Sequence, residues 1–247
     1  MAHFYIDKKY AFIFFFTLFF FYYCSAVVAG TQRYEPLVAS VQATLHAAVS
    51  DKAAPEPYFN SYQEKIAWLT TMSSRLQKVI PHTKTRVDFL KTVHYESTRA
   101  GLDPQLVLAL IEVESKFRKY AVSKAGAKGY MQVMPFWVKL IGKKEHNLFH
   151  LRTNLRYGCV ILRHYLDGER GNLTRALARY NGSLGKTEYS NKVQTAWKNK
   201  WHYSWQSAAL PNSLKMDLLL SQNYFRRTEE KFSDLSIGSK TPASLFL

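Results

Sequence analysis

The sequence predicts an all-α fold. Three observations predict it. Apolar residues recur at three- and four-residue spacing in one segment after another. Helix start and stop signals bound those segments, among them Pro81, Gly101, Asp103-Pro104, Asn172 and Asn181-Gly182. No stretch alternates apolar and polar residues for long enough to demand a sheet.

The chain begins with Lys8-Lys9, followed by an uncharged stretch of 20 residues, 10–29, that contains Phe12-Ile13-Phe14-Phe15-Phe16. A positive start before an apolar run is the pattern of an export signal, and this run is also long enough to span a bilayer. Residues 1–29 are therefore expected to be a signal peptide, cut after Ala26 or Ala29, or an uncleaved membrane anchor. Lipid attachment at Cys24 is disfavoured by the bulky Phe21-Tyr22-Tyr23 before it. Positive charge ahead of the run places the remainder outside the cytoplasm. The net charge of +16 calls for an anionic partner. Export removes the case for nucleic acid and leaves an anionic membrane surface or an acidic polymer.

Residues 34–50 carry Leu37, Val38, Val41, Leu45 and Val49 at helical spacing, and Pro55 and Pro57 mark a linker after them. Residues 63–80 form a second expected helix with Ile66, Leu69, Leu76 and Ile80 on one side, stopped by Pro81. These two make residues 30–82 a helical extension, too short to be expected to fold alone. The compact unit is expected at 83–205. It opens with a helix over 83–100, striped by Val87, Leu90 and Val93, with His94 beside the stripe as a packed or surface residue rather than a functional one. After the central helix come the small, glycine-punctuated residues 121–129, which read as turns. Residues 130–135, Tyr-Met-Gln-Val-Met-Pro, are expected to begin a helix that Pro135 kinks. A connection over 148–154 leads to a helix over 154–167, in which Gly158 signals a tight helix contact. Asn172 caps a helix over 173–180, and 187–201 is the last helix of the unit. Trp197, Trp201, Tyr203 and Trp205, with Lys198 and Lys200, either pack on the unit or meet carbohydrate or membrane. Residues 206–247 are expected to form a basic helix over 213–232 and a mobile tail.

The central helix concentrates the chemistry. Leu102-Asp103-Pro104 supplies an N-cap oxygen and a proline at the first helical position. At about 100° per residue, Leu106, Ala109, Leu110 and Val113 share a face. Glu114 falls between Leu110 and Val107, inside the apolar arc, while Glu112 points away toward solvent. Burial raises a carboxyl pKa, and a carboxyl that keeps its proton near neutrality can act as a general acid. On the helix alone, Glu114 is either that acid or a partly buried ion-pair partner. The two cysteines, Cys24 and Cys159, form no metal framework, and the eight histidines show no ligand spacing. Neither a metal nor a cofactor is expected.

Three segments stand in order: Glu114-Ser115, Gly129-Tyr130-Met131-Gln132-Val133-Met134-Pro135, and Arg179-Tyr180-Asn181-Gly182. Together, over roughly residues 96–195, they resemble the bacterial soluble-lytic-transglycosylase (SLT) catalytic domain, which has a lysozyme-like fold related to the goose-type enzymes. The resemblance implies an exported, periplasmic enzyme that cleaves the β-1,4 bond between N-acetylmuramic acid and N-acetylglucosamine in peptidoglycan and leaves 1,6-anhydro ends. It implies that Glu114 acts first as acid and then as base, and that Ser123, Gln132, Met134, Tyr180 and Asn181 bind the glycan or steady the carboxyl. Ser115 is expected to hold a backbone group. Most glycosidases use two carboxylates. Here Asp167, Glu169 and Glu188 are candidates by position only and read as surface charges. The alternatives are a muramidase on the same fold and a non-catalytic wall-binding protein. Two departures from the family pattern, Tyr130 for leucine and Arg179 for alanine, bear on the cleft if they face it.

Overall fold

The computed structural model describes residues 32–50 and 58–204. The helices are α1 (Ala39–Ser50), α2 (Tyr62–Leu76), α3 (Thr83–Arg99), α4 (Pro104–Ser115), α5 (Phe136–Ile141), α6 (Leu151–Gly168), α7 (Leu173–Asn181) and α8 (Glu188–Ala196). Helix α8 runs on into a π-helical turn at Trp197–Trp201. No strand occurs among the described residues, only two isolated bridges, Val122 to Lys128 and Lys128 to Val133. The expected segments 10–29, 51–57 and 213–232, and Trp205, lie outside the described residues. No described helix is long and apolar enough to cross a membrane.

Helix α4 is the hub. Every residue from Leu106 to Ile111 is buried, so the stripe drawn on the wheel is wrapped on nearly all sides by other helices. It starts as its sequence dictates: the Asp103 carboxylate accepts from the Gln105 N–H at 2.7 Å, and Pro104 opens the first turn. It ends abruptly. Lys116 (φ 50°) and Phe117 (φ 62°) are consecutive left-handed residues with side chains, a conformation that costs on the order of 1–3 kcal/mol per site. Phe117 is held there by aromatic contacts with Phe89 (6.0 Å) and Trp201 (5.5 Å).

Residues 39–50 and 58–80 share the core of the rest. Helix α1 lies on α5 and α6, and α2 on α3. Leu45, Val49, Trp68, Met72 and Leu76 join the same buried cluster as α4. His94 is packed rather than exposed, stacked on Phe59 at 4.0 Å and edge-on to Trp68. Further pairing fixes α3 to α6: the fully buried Glu96 takes Arg156 through both carboxylate oxygens, at 2.9 and 3.2 Å, and Arg99 and Arg152 at 3.3 Å.

Four local expectations are corrected. Residues 130–135 are not helical. The bridges to Lys128 and a positive φ of 50° at Gln132 hold them in a tight loop, and helix begins only at Phe136. Helix α6 starts at Leu151 rather than Asn154, because the connection has already closed its first turn. Helix α2 ends at Leu76, and a turn carries the chain to Pro81. Gly158 does allow a close approach, but to the Met131 side chain, whose sulfur lies 2.3 Å from where a Cβ would stand.

Candidate active site

The loop 121–135 is built around two amides. Asn154, buried on α6, donates to the carbonyls of Lys128 (2.8 Å) and Leu148 (2.9 Å) and accepts from the Met131 N–H (2.8 Å). The Gln132 amide donates to the carbonyls of Ala121 (3.1 Å) and Gly129 (2.9 Å). Gly129, at φ 77°, admits no side chain, since a Cβ would sit 2.4 Å from the Asn154 amide. Tyr180 on α7 is fully buried and donates its hydroxyl to the Met131 carbonyl at 2.7 Å. These contacts pin the loop to α6 and α7 beside the end of α4.

Glu114 is 4 % exposed, and its carboxyl opens on a cleft of about 1300 Å³. Oε1 accepts from the Tyr189 hydroxyl at 2.5 Å. Oε2 is buried and has no hydrogen-bond partner among the described residues. Burial pushes the carboxyl up to about 8, against the opposing pull of the Tyr189 hydrogen bond. No cation among the described residues pairs with it. Glu96 shows the contrast: equally buried, it meets three guanidiniums and has both oxygens bonded. One buried glutamate is thus a charge neutralised for structure, and the other a neutral acid with one oxygen left open.

Asn181 lines the cleft with Glu114. Gln132 and Tyr180 stand behind it, engaged with the loop backbone. Met134, expected in the cleft, is half-buried against the core instead and is not among the residues lining the cleft; its N–H donates to the side-chain oxygen of the buried Gln32 at 3.2 Å. The Ser123 hydroxyl accepts from the Ala127 N–H at 3.0 Å, and Ser123 is not among the residues lining the cleft. Ser115 donates to the Ile111 carbonyl, a backbone role. Tyr130 belongs to the core, 5.0 Å from the Phe89 ring, so its bulk is not in the cleft. Arg179 pairs with Glu169 and Glu35 (3.0 Å) and does not line the cleft. Glu169 is therefore not a free surface charge: Arg175 and Arg179 hold it.

Glu112 also departs from expectation. It is half-buried, accepts from the Trp201 indole N–H at 2.6 Å and pairs with Lys200. The indole of Trp197 donates to Asp103 at 3.0 Å. The described part of the aromatic, basic stretch thus packs along α4, and its rings are structural.

Tyr189 is the functional residue that sequence reasoning passed over. It lies in the first turn of α8, which packs on α4, four residues before the buried Val193. That spacing marks a face turned to the core, yet among 16 tyrosines nothing singles out a hydroxyl aimed at Glu114. Burial, with the neighbouring Glu114 carboxyl, raises the Tyr189 phenol well above its ordinary value, so it stays a donor. Tyr189→Phe removes the one bond that favours the carboxylate. The expected result is kcat/KM on glycan lower by about tenfold or more at pH 7, with the alkaline fall of the pH profile displaced upward. A profile that keeps its position shows that Tyr189 does not tune Glu114.

Residues 91–204 match the family model of the transglycosylase SLT domain. The chain is 30 % identical over 105 residues to a transglycosylase of Enterobacteria phage PRD1, covering 42 % of this chain and 38 % of that protein. It is 28 % identical over 144 residues to the membrane-bound lytic murein transglycosylase C of Photorhabdus laumondii, covering 51 % of this chain and 40 % of that protein. The protein of the same name from Actinobacillus pleuropneumoniae is 43 % identical over 61 residues, 24 % of this chain and 17 % of its own length. The chain thus spans less than half the length of these relatives. An all-helical unit among the described residues, a buried glutamate at the end of its hub helix, and the match over 91–204 agree: these residues are similar to the transglycosylase SLT domain, a lysozyme-like helical fold.

Proposed function

We propose that this protein is a peptidoglycan lytic transglycosylase that cleaves the glycan between N-acetylmuramic acid and N-acetylglucosamine and leaves 1,6-anhydro ends. One observation carries the reading: Glu114 lines the cleft, is buried and proton-bearing near neutrality, and its buried Oε2 has no hydrogen-bond partner among the described residues. In the first step the proton on Oε2 passes to the glycosidic oxygen as the bond from the muramyl C1 breaks. In the second, the 6-hydroxyl of the same sugar attacks C1, and its proton returns to Oε2. Glu114 ends as it began, and no water is consumed. The bond from Tyr189 steadies the carboxylate that exists between the steps. One carboxyl suffices because the nucleophile is already tethered to the reacting ring. Asn181 is assigned an acetamido group, and Tyr180 and Gln132 the support of the loop. Ser123 contributes by closing its turn.

A hydrolytic muramidase is the second reading, and Glu188 is the observation that favours it. Glu188 lines the cleft, exposed, with no hydrogen-bond or ion-pair partner among the described residues, and could activate a water. The masses of muropeptides released by the purified protein decide. Anhydro products one water lighter than reducing-end products are expected; reducing ends alone overturn the transglycosylase reading in favour of hydrolysis.

Residues 1–29 are assigned to export or anchoring, 30–82 to the helical extension, 83–205 to the catalytic unit and 206–247 to a basic tail. This places the enzyme in the envelope, acting on glycan and not on nucleic acid. The membrane-bound names of the relatives support the placement.

A further inference from the structure

The cleft that opens on Glu114 is strongly positive. Arg75, Lys78, Lys116, Lys186, Lys192 and Lys200 line it, against Glu112 and Glu188 as acids besides Glu114. Two of the six cations are used internally: Arg75 donates to the His202 carbonyl through two nitrogens at 3.1 Å, and Lys200 pairs with Glu112. The other four lysines, Lys78, Lys116, Lys186 and Lys192, are exposed, and their ammonium groups have no hydrogen-bond or ion-pair partner among the described residues. They sit in four local settings: the turn after α2, the residue that ends α4, the loop before α8, and α8 itself. A solvated helix face would give cations at one helical spacing on one element. Four like charges brought to one cleft from three parts of the chain, around residues 78, 116 and 186–192, repel one another, and an anionic ligand relieves that repulsion.

We propose that this lysine wall seats the carboxylates of the peptide stems, making the enzyme selective for glycan that carries peptide over bare glycan. The inference rests on the glycan-cleaving function proposed above. N-acetylglucosamine is neutral, and the lactyl carboxyl of N-acetylmuramic acid is consumed in an amide when a peptide is attached. The negative charges of an intact strand are therefore those of its peptides. Lysine suits them: a point charge on a flexible stem follows carboxylates whose positions vary, without the fixed geometry that arginine demands. The half-exposed Val79, with Ala196 beside it, offers apolar contact for small peptide side chains within the same cleft. Arg179, which by sequence was the candidate for this role, is committed to Glu169 and Glu35.

The test uses the full chain and two substrates, isolated glycan strands with their peptides and the same strands after an amidase has removed the peptides and the lactyl carboxyls so freed have been blocked as methylamides. The parent protein is expected to cleave the peptide-bearing strands with kcat/KM about tenfold above the bare ones at low salt, the effect of a few partly screened charge pairs. Lys78→Gln/Lys192→Gln is expected to bring that ratio to about twofold. Lys143→Gln/Lys144→Gln, an equal loss of charge at exposed positions outside the cleft, is expected to leave the ratio in place. Equal rates of the parent on both substrates overturn the proposal. So does a ratio unmoved by the cleft variant, or one lowered as much by the control, which would reduce the effect to the overall charge. Failure of the parent to cleave either strand instead overturns the glycan-cleaving function, and the proposal with it.

Discussion

Glu114→Gln is expected to lower glycan cleavage by at least about a thousandfold, because one side chain supplies both the acid and the base. The same substitution is expected to stabilise the fold at neutral pH. The carboxyl sits at about 8 in the folded protein against an ordinary 4.5, so between those values the folded state holds a proton that the unfolded state has released. Stability therefore falls as pH rises through this window, and the cost is absent below about pH 4.5. Glutamine, isosteric and uncharged, removes the penalty, a gain of about 3 kcal/mol at pH 7 that vanishes at pH 4. Urea unfolding of parent and variant at both pH values checks it. Equal stability at pH 7 would show that burial does not hold the proton. In the parent, kcat/KM is expected to fall about tenfold per pH unit above pH 8, as the acid is lost.

Arg156→Met is expected to cost about 3 kcal/mol of stability and leave the catalytic pH profile in place. Arg156 is the guanidinium that engages both oxygens of Glu96, and its side chain is nearly buried, whereas Arg99 and Arg152 reach solvent. Removing it leaves a fully buried carboxylate short of its closest partner, which costs far more than the pair itself contributes. The double variant Arg156→Met/Glu96→Gln removes the orphaned charge as well and is expected to recover more than half of the loss. A double variant no more stable than the single one would show that α3 and α6 depend on the pairing and not on neutrality. Thermal or urea unfolding of the three proteins reads this directly.

The contrast between these glutamates marks how far the sequence could be read. Local pattern placed Glu114 correctly, because the stripe Leu106, Ala109, Leu110, Val113 is written within one helix and the caps at Asp103 and Asn172 act on N–H groups two or three residues away. Contacts across the chain were not legible. Glu96 meets Arg152 and Arg156 more than 50 residues later, and nothing in α3 alone distinguishes it from a surface charge. Glu112 looked solvated because its own helix turns it away from the stripe; the π-helical turn nearly 90 residues on covers it. Tyr189 reaches Glu114 across 75 residues. The 130–135 loop misled for the opposite reason. Met131, Val133 and Met134 look like a helical stripe, but the amides of Asn154 and Gln132 satisfy the backbone in another way, and Gly129 permits it.

The docked start of the described chain has a mechanical consequence. Gln32 is seated under Met134, and Glu35 is tied to Arg179, so the polypeptide enters the catalytic unit already fastened. Only Gly30 and Thr31 separate that fastening from the apolar stretch ending at Ala29. Three peptide steps reach about 10 Å at full extension, a quarter of the roughly 40 Å breadth of a unit this size. With the stretch left in a bilayer, an enzyme of the proposed function would be moored on a line shorter than itself and would work only the glycan next to the membrane. With the stretch cut away, the same unit roams the full depth of the wall. A proteolytic cut after that stretch would set the working radius of the proposed enzyme and leave its chemistry untouched.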